Sequence, residues 1–471
     1  MKKVSLFLLL TFALCAGAAS GEEKKATADM AEETKETKNE PTKAASGSDT
    51  SKEKKEKKKS KDEDELEEKG HVFGFRNSYG HAALSLNGEW TDNLYNHRTE
   101  KVDNFLTRIS PAVWFTWPRR SRRPLQLALD NTATGGTQYS LTEYDVFNKY
   151  QVYLGGRLDF MNYSANSELN HTESGFEGLI QYQPGSRLTL RVLDKYSLSQ
   201  DIFNITEATA ENNRVYDSNL FGLGADWQFS DKFSAKVGYK NFLLLYEDTV
   251  NDFMNRSDNG FEAALGYEYS PKTKFFLGGH YLLAAYDENK VPDNGNTYLN
   301  IGMNWQATVK TSLMAKIGYQ QVRYDYEDVD YDQTSNLFRD DKDAGMDFEI
   351  QGIWQMTRKS SLLLNAKYNI EQTDSLQALN KSVFAGRIAF DYRFSNRLRG
   401  DINFIYEDSE YEQFEGENRL DERWYVKPEL QYALTKWLFL NLYGSFDKKD
   451  SSFDELDYES RTIGLGVRAS R

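Results

Sequence analysis

The chain has 471 residues, with 58 Lys+Arg against 72 Asp+Glu and a formal net charge of -14. That balance excludes a nucleic-acid binder, which needs a basic surface to meet phosphates. Aromatic residues make up 14% of the chain, too many for wholesale disorder, and the single cysteine, Cys15, rules out an internal disulfide framework or a thiolate metal site.

Residues 1–19 read as a secretory signal peptide. Lys2 and Lys3 open it, Val4 to Leu14 is largely apolar, and Ala16-Gly17-Ala18 supplies the small residues a signal peptidase reads. The run is too short to cross a membrane as a helix, and cleavage after it removes Cys15. A rival reading makes Cys15 a lipidated first residue, although Leu14 is bulky where such signals want a small side chain. Residues 20–70 are densely charged and contain no aromatic residue. Such a segment buries too little apolar surface to offset its ordering entropy, so a disordered spacer is expected, or a tether to peptidoglycan or a periplasmic partner.

From 71 to 471 the pattern changes to period-two alternation, the signature of strands. Phe221, Leu223, Ala225 and Trp227 alternate with Gly222, Gly224 and Asp226. Phe261, Leu265 and Tyr267 oppose Glu262 and Glu268. Leu362, Leu364 and Tyr368 oppose Asn365 and Lys367. Phe384, Ile388, Phe390 and Tyr392 oppose Arg387, Asp391 and Arg393, and Ile463, Leu465 and Val467 oppose Gly464, Gly466 and Arg468. One face is apolar throughout, whereas the other carries charges.

The connections alternate as well. Short turns lie at Ser230-Asp231-Lys232, Ser270-Pro271-Lys272-Thr273, Thr357-Arg358-Lys359, Ser395-Asn396-Arg397 and Leu434-Thr435-Lys436. Between them run long acidic segments such as Asp325 to Asp343 and Glu407 to Asp421. Short turns on one side, long polar loops on the other and strands of about 10 to 16 residues describe an all-β, antiparallel transmembrane outer-membrane β-barrel. Aromatic residues near strand ends (Trp114, Trp117, Trp227, Trp305, Trp354, Trp424, Trp437, Tyr267, Tyr269 and Tyr392) suit interface girdles, which a soluble sandwich or propeller does not need. Counting hairpins gives about 18 strands, the third of them Leu125 to Tyr139. Residues Tyr150 to Phe160 also alternate, and with a partner near Ala165 to Leu169 they would make the alternative of about 20.

The first strands carry a resemblance. Leu86-Asn87-Gly88-Glu89-Trp90-Thr91-Asp92-Asn93 is followed by Asp103-Asn104-Phe105-Leu106-Thr107-Arg108-Ile109-Ser110-Pro111. An aromatic strand ending in Asp-Asn, then a second strand entered through Asp and Ile-x-Pro, resembles the putative β-barrel porin 2 family. The chain departs from usual barrels in ending Val467-Arg468-Ala469-Ser470-Arg471 and not in an aromatic residue. The resemblance implies an outer-membrane pore, most often tied to export of a polysaccharide, with a periplasmic polysaccharide-export translocon as partner. Read from the residues alone, a general or nutrient-specific diffusion porin and a non-conducting structural or adhesive barrel stay open.

No enzyme, cofactor or metal site is expected. His71, His81, His97, His171 and His280 have no Ser elbow or paired ligand at useful spacing. Asp328-Val329-Asp330-Tyr331-Asp332 imitates the start of a calcium loop, but Gln333 replaces the needed Gly and Arg339 the bidentate Glu. The candidate lumen-lining residues are Asp226, Lys236, Lys240, Glu262, Glu268, Lys316, Glu349, Lys367, Arg387, Asp391, Arg393, Asp401 and Arg468, all on the inferred inner face, together with Asp347 and the aromatic residues Phe439 and Tyr443, whose rings could stack on sugars. Outer-membrane lipid and lipopolysaccharide are the expected surroundings, with the Lys- and Arg-bearing short turns facing the periplasm.

Overall fold

The structure is a computed structural model that describes residues 77–120, 125–127, 134, 139–141, 149–201, 214–247, 251–288, 290–325, 342–373, 378–413 and 417–471. The expected signal peptide, the charged segment 20–70 and the calcium-like stretch 328–332 lie outside the described residues.

The strands in chain order are β1 (Ser78–Thr91), β2 (Asn104–Arg120), β3 (Leu125–Leu127), β4 (Tyr139–Leu141), β5 (Tyr150–Tyr163), β6 (His171–Gly185) and β7 (Leu188–Asp201). They continue with β8 (Arg214–Trp227), β9 (Phe233–Tyr246), β10 (Arg256–Ser270), β11 (Thr273–Tyr286), β12 (Asp293–Thr308), β13 (Thr311–Asp325) and β14 (Lys342–Thr357). The last are β15 (Ser360–Gln372), β16 (Ala378–Arg393), β17 (Leu398–Gln413), β18 (Arg419–Ala433), β19 (Leu438–Ser451) and β20 (Tyr458–Ser470). All but β3 and β4 belong to one 18-stranded sheet. Each strand pairs antiparallel with the next, and β1 pairs with β20, from Ala83 opposite Ser470 to Thr91 opposite Thr462, so the sheet closes on itself. Closure leaves the wall without an open edge strand, the condition for a sheet to cross lipid.

The strand number matches the sequence expectation, but one member differs. Leu125–Leu127 pairs only with Tyr139–Leu141 in a separate two-stranded ribbon, and the third barrel strand is β5, which takes the place next to β2. The partner imagined near Ala165 to Leu169 is instead a 3₁₀ turn at Ser167–Leu169, which removes the 20-strand alternative. Alternation alone could not choose between these stretches, because a short two-stranded ribbon and a wall strand share the same period.

The short turns repeat one local device. Ser230 Oγ accepts from the main-chain N–H of Lys232 at 3.3 Å and of Phe233 at 3.0 Å. Ser395 does the same for Arg397 and Leu398, and Thr435 for Trp437 and Leu438. A hydroxyl that satisfies the turn's own donors makes Ser or Thr the residue to expect at its first position. The β2–β5 connection is the exception at this end of the barrel, running from 121 to 149.

The outward face is apolar, with Leu265 59%, Leu299 60% and Ile301 60% exposed. Trp117, Trp227 and Trp437 stand exposed near the short-turn end, as an interfacial belt requires. Trp114 does not join them. It falls on the opposite parity from exposed Val113 and Phe115, points inward, and stacks on His81 with ring centroids 4.9 Å apart.

At the long-loop end, connections fold back over the inner wall. The 3₁₀ turn Asp252–Met254 lays Phe253 and Met254 against Tyr216, Leu220, Phe242, Leu244 and Tyr246. Leu94 and Leu169, from two other connections, cover Leu106, Met161 and Tyr163 in the same way. The upper lumen is therefore partly lined by a packed apolar core.

Candidate functional site

Every charged residue singled out in the sequence lies on the face opposite the exposed apolar side chains. Ion pairs tie half of them to a neighbouring strand. Asp226 on β8 accepts from Arg191 on β7 at 2.5 Å, and Lys236 on β9 lies 3.1 Å from Glu262 on β10. Lys316 on β13 reaches Glu349 at 3.2 Å and Asp347 at 3.8 Å, both on β14. Lys367 turns along its own strand to Glu371 at 2.7 Å. Arg387 donates to Asn403 at 2.9 Å, and Arg399 donates to Asp391. Lys240 stands in register between Gly222 and Gly260, and Glu268 is opposite Lys274.

The wall from β16 to β1 is banded by sign. Asp391, Asp401 and Glu429 stand directly opposite one another on β16, β17 and β18. One step nearer the short turns, Arg393 stands opposite Arg399. Like charges opposite each other on one face repel, so each row leans on the other, and the Arg399–Asp391 contact is the direct tie. The acidic row continues to Tyr443 on β19 and Gly464 on β20, then to Glu89 on β1. The Tyr443 hydroxyl crosses the intervening strand to donate to Glu89 Oε2 at 2.7 Å. Gly464 makes that reach possible, since a Cβ there would sit 2.1 Å from Tyr443 Cζ.

Two inferred roles change. Phe439 is only 1% exposed, and the Arg468 guanidinium lies over its ring at 5.0 Å from the centroid, so it offers no free surface for stacking a sugar. Arg468 in turn is held against that ring. Tyr443 stays partly exposed but is oriented by Glu89.

Sequence reasoning missed Arg191, Arg399, Glu429 and Glu89. Arg399 shares the inner parity of Asp401 on β17, so carrying the alternation to that strand's end would have reached it, whereas Arg191, Glu429 and Glu89 lie on β7, β18 and β1, where no charged inner residue was drawn from the sequence. It also missed Gln320, which is fully buried on the inner face of β13. Beside its contacts with Asn296 and Tyr298 of neighbouring β12, it reaches Ile370 of β15, two strands away, and no local pattern marks that tie. Among the described residues, no group of three or more His, Cys, Asp or Glu could hold a metal ion.

A closed antiparallel wall with an apolar outside and a charged inside can hold water and pass polar solutes, and about 18 strands leave room for an aqueous lumen. No curated protein matches the chain. Among solved structures, it is similar to OccAB4 of Acinetobacter baumannii at 11% identity, over 84% of this chain and 99% of that one, with a TM-score of 0.41. It is similar to Pseudomonas aeruginosa OpdK with vanillate at 12% identity (83% and 99% covered, TM-score 0.41) and to OccK2 (OpdF) in complex with glucuronate at 10% (83% and 99%, TM-score 0.42). These likenesses are of barrel architecture. The family model described as Putative beta-barrel porin 2 matches residues 81–471, the whole described barrel apart from its first few residues, and the chain therefore belongs to that outer-membrane porin family.

Proposed function

We infer that the barrel is a passive diffusion pore for small polar solutes in the outer membrane. The observation that carries this is the inner wall, where cations and anions alternate in bands and pair across strands, a surface only water can face at low cost. Paired charges of both signs give no strong field of either sign along the wall, which suits neutral and zwitterionic solutes as well as small ions. Polysaccharide export, which the family resemblance alone suggested, loses one support because Phe439 is packed under Arg468. A periplasmic export translocon as partner belongs to that reading and forms no part of the pore reading. Lipopolysaccharide contact belongs to the exposed apolar face and its rim.

Planar-bilayer recording on the purified, folded protein tests the pore. Stepwise conductance with permeation of small sugars in liposome swelling is the expected result. A folded barrel with neither would be a structural or adhesive protein. On whole cells, protease should cut within Asp325 to Asp343 if the long loops face outward, whereas cutting near Arg119 and Arg120 would reverse the orientation.

A further inference from the structure

β14 and β15 part company before either strand ends. β14 pairs with β13 up to Lys342, opposite Arg323, but pairs with β15 only as far as Phe348 opposite Tyr368. Beyond Tyr368, β15 does not continue along the rim of the wall. The Gln320 amide, on the inner face of β13, donates to the Ile370 carbonyl at 2.7 Å and accepts from the Ile370 N–H at 2.9 Å. That contact skips β14, so the end of β15 has passed onto the lumen side of it.

Further contacts follow the same path. Ile370 packs with Val322 and Tyr324 of β13, and a Cβ added at Gly345 of β14 would lie 3.1 Å from Ile370 Cδ1. Asn380, where β16 begins its return, donates to the Tyr324 hydroxyl at 3.4 Å. Gln372 Oε1 accepts from the Tyr286 hydroxyl of β11 at 3.3 Å and also from the Thr134 hydroxyl of the β2–β5 connection. Asn369–Gln372 thus crosses the inner surface of several strands near the long-loop end.

We propose that Asn369–Gln372 is the size-selecting constriction of the pore, and that Gln320 is the positioning residue that holds it over the lumen. This rests on the pore reading above. A side-chain amide that forms both hydrogen bonds of a main-chain unit substitutes for the strand partner β14 no longer provides, which is why the segment, still paired with β16 on its other side, is held there although its ladder with β14 has ended. The crossing chain removes cross-section from the lumen. Its one described acid, Glu371, is bonded by Lys367 at 2.7 Å and by Asn369 at 3.3 Å, so the segment adds little net charge. It sorts solutes by size and hydrogen bonding, while ion preference is set elsewhere on the wall.

Gln320→Ala, which cuts the tie, and Gly345→Leu, which pushes Ile370 off from a different strand, are compared with the unaltered protein in the same bilayer. Each should raise single-channel conductance by about 1.5-fold or more, since conductance follows pore cross-section, and should admit larger oligosaccharides in liposome swelling. The reversal potential in a salt gradient should stay where it was. A variant that lost its barrel would show itself by losing the heat-dependent gel shift, and the other variant would then decide. An open unaltered pore with both folded variants identical to it overturns the constriction alone. If neither the unaltered protein nor the variants conduct, the pore reading and this proposal fail together. A conductance rise accompanied by a large selectivity change overturns the claim that the segment sorts by size.

Discussion

β8 and β9 carry two different interiors on one continuous face. Toward the short turns, their inward positions are Asp226, Lys236 and Lys240, paired with or set among Arg191 and Glu262. Toward the long loops, the same parity carries Tyr216, Leu220, Phe242, Leu244 and Tyr246, buried under Phe253 and Met254 with Val291 alongside. Strand geometry is the same in both halves. The difference lies in what covers the face: a folded-back connection over the long-loop half and, among the described residues, no such connection over the other. Facing inward in a barrel therefore does not by itself mean facing water, and the chemistry of an inner position reports whether a loop returns over it.

The largest effect should come from breaking that distinction. Leu244 is fully buried on the inner face, so Leu244→Asp places an unpaired carboxylate in a packed core and should cost about 3–5 kcal/mol of unfolding free energy. Lys236→Gln, at a partly exposed ion pair on the other half of the same strand, should cost about 1 kcal/mol or less. Denaturant titration of both variants in one detergent checks this, and equal costs would mean that the upper half is hydrated after all.

Next in size is the outer face against the inner one. Ile301→Arg, at a residue 60% exposed on the apolar surface, should weaken assembly by about 2–4 kcal/mol if it sits near the membrane midplane. Asn300→Arg, one residue along and facing inward, should assemble normally. Gel mobility without boiling reads both. Defective assembly of the second variant and normal assembly of the first would place the register one residue away throughout.

A smaller change tests the contact across Gly464. Tyr443→Phe removes the hydroxyl that Glu89 accepts, a loss of about 1 kcal/mol for one hydrogen bond in a partly solvated wall. Gly464→Val should match or exceed it, because the added side chain would meet the ring itself. No change in either would mean that Tyr443 is held by packing alone.

The last comparison is between the charge bands and concerns selectivity more than stability. Asp391→Asn with Asp401→Asn thins the acidic row and leaves Arg393 and Arg399 beside it, so the reversal potential should move toward anion preference with barrel folding retained. A folding defect with unchanged selectivity would instead describe a dry, packed interior.

Much of this molecule was legible in advance. Phe390 and Asp391, or Leu465 and Gly466, declare two faces by simple alternation, and Ser395-Asn396-Arg397 declares a tight turn through a hydroxyl that caps its own donors. The inner-face charges followed from the same parity. Leu125 to Tyr139 shows the limit: it begins with the same alternation as β5, yet its described residues Leu125–Leu127 pair with Tyr139–Leu141 in a two-stranded ribbon outside the wall. Trp114 shows another, since an aromatic residue near a strand end suits a girdle or an interior equally well until its parity is counted from its neighbours.

What the amino-acid sequence determined by itself is therefore the class of wall: antiparallel strands long enough to cross lipid, apolar outside, charged inside, closed at about 18 members. Those properties are local, because period-two burial and turn chemistry are written into neighbouring residues. Only the tertiary structure decided which loops return over the lumen, which inner residues they dry, and where β15 crosses behind Gln320. These depend on contacts between residues such as Gln320 and Ile370, or Thr134 and Gln372, that are far apart in the chain. No local pattern records such a meeting, since each partner's own neighbourhood is satisfied with or without it.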